Sequence, residues 1–512
     1  MACLGVFVAY LPVTTVSVSL PAIQRALGTS TSQLSWVSDA FVLPMAALIL
    51  TTGVWGDVHG RKRVFQAGMA LCALGAAISL SATSVQVLWA GQAVSGLGAA
   101  ALLPTTLALI SHAVPDHRER GRFIGMWAMS LMASLAVGPL IAGVLLEHVA
   151  WRWIFFLPVP VSLIVLVVAA FLLPDSRAPH GRRLDWPGQI SAAVAVTAVV
   201  FGVIEGGADG FGEPAVVTAL VLGVVAAAVF VVVERRSASP MLDPALFRSP
   251  AFTATALVAM ISFLGLIGFF FVLSLYFGMV QHLTTMEAAL RMVTVSGVSL
   301  VVAAPIGRLM HRVSARVLIT TGLVVAAGAM LSLTGVDAHT SYGSIVWRLA
   351  LLGLGMGAVL TPMTASAVSS VPYHLAGMAA AGNNAFRQLG GALGPAVLGT
   401  LLTTRALDAL PGRLADAGVP AEAGARVLDT AREQGLGAVA GLHLDAATGP
   451  ALTALGDSFL DGMRLCLTVS ASLALLAALA CAVLLRPAAE PTTPAAPATE
   501  EAPARPAPVP AS

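Results

Sequence analysis

Apolar residues come in long runs separated by short polar breaks, and neither strand alternation nor a narrow amphipathic stripe accounts for them. Runs of about 20 residues occupy 3–23, 35–55, 64–84, 87–112, 121–146, 153–173, 187–206, 214–233, 252–277, 287–306, 316–335, 344–369, 378–403 and 459–485. That length is what a helix needs to cross a bilayer. The pattern predicts an all-α polytopic membrane protein with fourteen spans. Charge sits in the breaks. Five alternate loops each carry three basic residues: Arg61/Lys62/Arg63, Arg118/Arg120/Arg122, Arg177/Arg182/Arg183, Arg235/Arg236/Arg248 and Arg308/Arg312/Arg316. The intervening short loops hold almost none apart from Arg25 and Arg152. An excess of Lys and Arg marks the cytoplasmic side, so both termini are expected in the cytoplasm, as an even span count also requires.

Composition narrows the classes further. The chain is 57% hydrophobic and 10% charged, against about 25% charged residues in a soluble domain. There is too little polar surface for a soluble enzyme, a nucleic-acid binder or a secreted disulfide scaffold. The four cysteines, Cys3, Cys72, Cys466 and Cys481, lie in apolar runs without ligand spacing and read as small buried hydrophobes. The first run lacks a basic leader and a small-residue cleavage site, so a removable signal peptide is not expected, although a mis-assigned start codon stays open. Residues 404–457 are expected to form one long outer loop, rich in Ala and Gly, with seven acids, four arginines and room for short helices. The Pro/Ala-rich tail, 486–512, is expected to be disordered.

The chain repeats itself at a spacing of about 255 residues. Gly96-Leu97-Gly98 with Pro104 echoes in Gly353-Leu354-Gly355 with Pro362. Gly121 precedes Gly138-Pro139 by seventeen residues, and Gly377 precedes Gly394-Pro395 by the same seventeen. A further glycine, Gly143 or Gly399, stands four residues past each proline. The repeat joins span four to twelve and five to thirteen, an even offset that gives parallel copies. The expected plan is two six-helix bundles, 1–175 and 251–485, with an inserted pair of helices in 176–250; such paired bundles are built to rock.

One loop carries more than an anchor requires. It reads Gly53-Val-Trp-Gly56-Asp57-Val-His-Gly60-Arg61-Lys62-Arg63. Glycines permit a tight turn and close helix approach, and Asp57 can cap a helix or pair with Arg61. Such a pair could latch the bundles in one state and release them in another. This loop resembles the signature of the major facilitator superfamily. Span five, with Gly138, Pro139 and Gly143, resembles the Gly-Pro motif of its exporters. Trp36-Val37-Ser38-Asp39-Ala40-Phe41, Trp151-Arg152-Trp153, Glu205-Gly206 and Arg387-Gln388-Leu389-Gly390-Gly391 resemble its fourteen-span drug:proton antiporter branch. The likeness runs to about residue 485 and implies a major facilitator fold in the cytoplasmic membrane. The chain departs from that branch at Pro12, where a span-one carboxylate is usual, and at Gln92, Ser95 and Pro158, where arginine, glutamine and asparagine are usual. Gln92 and Ser95 stand beside Gly96 in the span-four motif.

An ionisable side chain within a membrane is costly, and so is a functional candidate by default. Asp39, in the first turns of span two, leads as the proton carrier, and taking up a proton removes the charge that burial penalises. Capping a helix end is its equal alternative. Glu205 is the second candidate, although interfacial solvation outside the twelve-span core suits it better. Glu287 with Arg291, and Asp461 with Arg464, are spaced to pair on one helix face. His112 and His374 are expected to be solvated. Asn383, Asn384 and Arg387 share a face of span thirteen and, with Gln388, are expected to face a cavity or another helix. Phe263, Phe269, Phe270, Phe271 and Tyr276 could line an apolar binding cavity, but for the most part they are expected to touch lipid. No Gly-x-x-x-x-Gly-Lys-[Ser/Thr] loop, metal cluster or nucleophile–base arrangement is visible, so no cofactor and no enzymatic activity are expected. The expected function is export of drug-like molecules by proton antiport. The expected partners are a hydrophobic or amphipathic small molecule, protons and the lipid bilayer; nucleic acid is not among them, and the protein is expected to be a monomer. Pro12 keeps open a facilitator or importer without proton coupling, and a sensor that binds without transport is the third reading.

Overall fold

The apolar runs become helices because hydrocarbon offers the backbone no partner other than itself. In the computed structural model, residues 1–114, 117–173, 184–237, 239–310, 312–371, 375–433, 435–442, 444 and 447–485 are described. The first six helices are α1 (Ala2–Leu27), α2 (Thr31–His59), α3 (Arg61–Leu80), α4 (Val85–Ala113), α5 (His117–His148) and α6 (Pro158–Leu172). An inserted hairpin follows, α7 (Trp186–Asp209) and α8 (Pro214–Arg236). Then come α9 (Pro250–Leu275), α10 (Thr285–Leu309), α11 (Ala315–Leu333), α12 (Tyr342–Ser369), α13 (Ala376–Asp416), the short α14 (Ala421–Glu433) and α15 (Thr448–Leu484). Polar caps start several of them. Ser30 and Gln33 form a capping box on α2, and Thr284 and Glu287 form one on α10.

Thirteen helices among the described residues are long and apolar enough to cross a membrane. The expected span thirteen lies in α13, whose apolar run is interrupted by Asn383, Asn384, Arg387 and Gln388. The basic loop 177–183, His374, the side chains of Arg118, Arg120 and Arg122, and the tail 486–512 lie outside the described residues.

Helix neighbours follow the sequence repeat. In the first set α3 packs on α4, α2 on α4, α1 on α5 and α3 on α6; in the second, α11 packs on α12, α10 on α12, α9 on α13 and α11 on α15. The glycines explain how these pairs close up. A Cβ on Gly96 would overlap the carbonyl oxygen of Phe41 on α2, and one on Gly390 would overlap that of Met260 on α9. Association in lipid depends on such backbone proximity rather than on a hydrophobic drive.

The loops with Arg61–Arg63, Arg235/Arg236 and Arg308 define a basic face of the bundle. At the opposite face one apolar core joins both sets, bringing Leu20, Ile23 and Leu34 together with Phe271, Phe277 and Leu402. Pro21 of α1 there meets Gly278, just past α9. A second core, built on Val6, Phe65, Leu103 and Ile110 of the first set, takes in Phe263 and Ile267 of α9 and Ala392 and Ala396 of α13, while a third, with Val258, Leu323, Met363 and Cys481, lies within the second set.

Three expectations change. The segment 404–457 holds the short helix α14, as its composition allowed, but it is not one long loop, because α13 continues to Asp416 and α15 begins at Thr448. Ala406, Leu410 and Leu414 are buried at a spacing of four, an amphipathic stripe that the surrounding charges disguise. Arg413 bonds Asp461 of α15 at 2.8 Å, and Asp461 also pairs with Arg464 at 3.1 Å. Glu287 does not pair with Arg291; it caps α10 through Thr284, while Arg291 donates to Gln281 Oε1 at 2.7 Å. Phe263, Phe269, Phe270, Phe271 and Tyr276 do not face lipid. All are buried, because α9 is enclosed by α13, α15 and α12.

A side chain at a glycine contact should force the helices apart. Gly96→Val and Gly390→Val are each expected to cost about 1–3 kcal/mol by overpacking, read as a lower midpoint of thermal unfolding in detergent. Gly307→Ala, where nothing lies within 4 Å of the added Cβ, should leave the midpoint unchanged.

Candidate functional site

The seam between the two helix sets is where the buried polar groups gather. α2 and α13 run antiparallel along it, with Val42 against Gly391 and Ser35 against Gly399. Asp39 is therefore level with about Gly394. Its residue is 0% exposed, and neither carboxylate oxygen has a hydrogen-bond partner among the described residues. The helix-capping alternative fails, since Ser30 is the cap of α2 and Asp39 lies two turns inside. α4 fixes the backbone on either side of it. Gln92 Nε2 donates to the Val37 carbonyl at 3.4 Å, and Gly96 lies on the Phe41 carbonyl. Ser95 is buried against Gly75 of α3. The span-four motif thus holds α2 in place around the acid.

Arg387 lies seven residues nearer the basic face than Gly394, roughly 10 Å at 1.5 Å per residue. It is 7% exposed, with its guanidinium carbon 4.4 Å from the centre of the Phe263 ring. One of its nitrogens reaches Tyr10 Oη at 3.5 Å, and Gln388 Nε2 donates to the same hydroxyl at 2.6 Å. Tyr10 belongs to α1, so this cluster ties the two sets together. Asn383 turns aside and donates to the Thr255 carbonyl of α9 at 3.2 Å; Asn384 keeps a buried Oδ1 without a partner. The polar face of α13 therefore divides between its own set and the other.

The span-five glycines also serve the seam. Gly138 seats α5 on Thr14 and Thr15 of α1, and a Cβ on Gly143 would stand 3.0 Å from Met286 of α10. Pro139 is carried inside α5. The glycine loop sits elsewhere, at the basic face. Asp57 and Arg61 pair at 2.8 Å, Arg61 also reaches the Ala108 carbonyl at 3.4 Å, and Lys62 donates to the Ala170 carbonyl at 2.7 Å. Gly60 supplies the turn with φ 108°. Gly53 packs on Pro104, and Arg63 is exposed. These contacts tie α2, α3, α4 and α6 within the first set and, among the described residues, reach nothing in the second.

Glu205 does not stand apart from the core. Trp36 Nε1 donates to Glu205 Oε1 at 2.8 Å, and α7 packs against both α2 and α13. Thr400 of α13 donates to the Val203 carbonyl at 2.8 Å, and Gln189 Nε2 donates to the Ala47 carbonyl at 2.8 Å. Sequence reasoning missed Tyr10 as a partner. A signal existed, since it is one of four tyrosines and the phenol of an otherwise apolar span.

Two helix sets that repeat each other's packing and gather polar groups at the seam between them have the build of a secondary transporter. Comparison with known proteins agrees. The profile of the Major Facilitator Superfamily matches residues 2–395, and the chain belongs to that superfamily. It is 34% identical over 399 residues to the multidrug resistance protein Stp of Mycobacterium tuberculosis, covering 78% of this chain and 74% of that protein. It is 32% identical over 479 residues to the tetracenomycin C resistance and export protein of Streptomyces glaucescens, covering 93% and 88%. Among solved structures, a bacterial homologue of the human lysosomal transporter Spinster, inward-facing and unoccupied, matches with TM-score 0.62 and 16% identity over 94% of this chain and 96% of that one. That likeness bears on the fold alone. The protein is a multi-pass inner-membrane transporter.

Tyr10→Phe removes the acceptor of Gln388 and is expected to cost about 1–3 kcal/mol, because a buried donor is left unsatisfied. Gln388→Leu in the same chain should recover part of that loss, so the two effects fall short of adding. Thermal midpoints of the singles and the double measure the coupling.

Proposed function

We propose that the protein exports hydrophobic or amphipathic drug-like molecules from the cytoplasm by proton antiport. The two resistance proteins named above support the substrate class. In this reading the basic face is cytoplasmic, both termini lie there, and α13 completes fourteen spans. Two bundles, 1–175 and 251–485, rock against each other, with 176–250 inserted between them. The apolar core that joins both sets at the outer face suits a state closed on that side. Binding of substrate and then of a proton from outside would alternate the access.

Asp39 carries this reading. It is a fully buried acid of the seam, it has no donor among the described residues, and it lies on the helix that faces the other set. An isolated charge there is costly; a proton neutralises it and is released when access changes. Arg387, Gln388 and Asn384 offer polar contacts to substrate beneath it. Asp57–Arg61 serves as a latch that would engage the second set only when the basic face closes. Pro12, in place of the span-one carboxylate, favours a second reading, a facilitator of the same fold without proton coupling.

Transport in sealed proteoliposomes separates the two. Asp39→Asn should abolish efflux driven by a pH gradient while the thermal midpoint stays at or above that of the parent. Full activity of that variant removes Asp39 from the mechanism. Parent efflux that ignores collapse of the gradient selects the facilitator.

A further inference from the structure

At the face opposite the basic loops, a cavity of about 310 Å³ opens between α2, α4, α7, α13 and the short helix α14. Among the described residues, α1, α5, α9 and α10 contribute nothing to its lining. The α2–α13 seam, closed there by Ser35 against Gly399, separates it from the space between the two sets. Its volume sits at the small end of the range for ligand sites.

The lining is chemically one-sided. Trp36 and Trp89 form an aromatic wall, their ring centres 6.4 Å apart, with Phe201 extending it 6.1 Å beyond Trp36. Both indole N–H groups are already committed, to Glu205 Oε1 and to the Gln33 carbonyl, which fixes the rings. Glu205 is half-buried in this wall and forms no ion pair among the described residues. Thr400 and Gln33 add neutral polar atoms. Among the described residues, the other charged lining residue is Arg432 on α14, which is exposed. Its field is screened by water and salt, whereas a carboxylate held against indole rings keeps more of its own. A negative group beside aromatic faces attracts a cation twice over, by charge and by the ring quadrupole.

We propose that this cavity binds a monovalent organic cation bearing an aromatic ring, with Glu205 as its counter-ion and Trp36 and Trp89 as its wall. The site lies off the path between the helix sets, so binding here neither requires nor measures export. It also gives Glu205 a role other than carrying the coupling proton. The fixed wall suits a rigid, flat ligand, because the rings pay no ordering entropy on binding.

Benzyltrimethylammonium and benzylsulfonate make a matched pair of probes, one cationic and one anionic. Titration calorimetry on the purified full chain in detergent should show saturable binding of the cation and none of the anion. Glu205→Gln keeps an acceptor for the Trp36 indole while removing the charge, and should weaken the cation at least tenfold. Arg432→Gln, on an exposed position of α14, should tighten it. Asp39→Asn should leave it within about twofold, since that acid lies on the other side of the seam. Failure of the cation to bind, preference for the anion, or an unchanged affinity in both Glu205→Gln and Arg432→Gln would overturn the site. Loss of binding in Asp39→Asn alone would also overturn it, by moving the cation to the membrane-buried acid. None of these results bears on whether Asp39 couples efflux, so the two readings fail separately.

Discussion

Everything in this molecule answers to the absence of water in the bilayer core. Backbone groups must be satisfied within each helix, and helices gain nothing hydrophobic by leaving lipid for one another. What remains is close packing, and glycine supplies it. Gly68 and Gly98 join α3 to α4, and Gly322 and Gly355 join α11 to α12, with added Cβ atoms meeting backbone at 2.6–3.0 Å. The two helix sets resemble each other because the same pairs must approach equally closely. The sequence repeat is the trace of that requirement.

The same constraint sorts the polar side chains. Gln388 and Arg387 both reach the Tyr10 hydroxyl across the seam, with Arg387 Nε left buried and unpartnered among the described residues, and Asn383 finds a carbonyl on α9. Asp57 and Arg61 pair at the membrane edge, where water shares the cost. Asp39, among the described residues, has no hydrogen-bond partner for either carboxylate oxygen. This contrast is what supports the proposed role of Asp39 as proton carrier.

The inserted hairpin is not a passive spacer. α7 lies along α2 and α13 at once, hydrogen-bonded to the first through Gln189 and Trp36 and to the second through Thr400. It therefore covers the line where the two sets meet on one side of the molecule. α8, by contrast, packs mainly on α7 and exposes Val221, Val224 and Val225. The pair reads as a strut with an outer cover, and the cavity beside Glu205 is the gap left where strut, seam and α14 fail to fill space.

The sequence by itself determined the helices, their repeat and the Asp57–Arg61 pair, because each is set by short-range spacing: run length, glycine position, or a separation of four. It also singled out Asp39 and Arg387, since charge inside an apolar run is visible in one dimension. Only the tertiary structure decided where those side chains point. Tyr10 meets Gln388 across 378 positions and Trp36 meets Glu205 across 169, distances over which no local pattern carries information. The aromatics of α9 look alike to a hydropathy window whether they touch lipid or protein, because both surroundings are apolar. Their burial, like the extension of α13 past the membrane, comes from which neighbours close around a helix, and hydrophobicity alone does not choose between them.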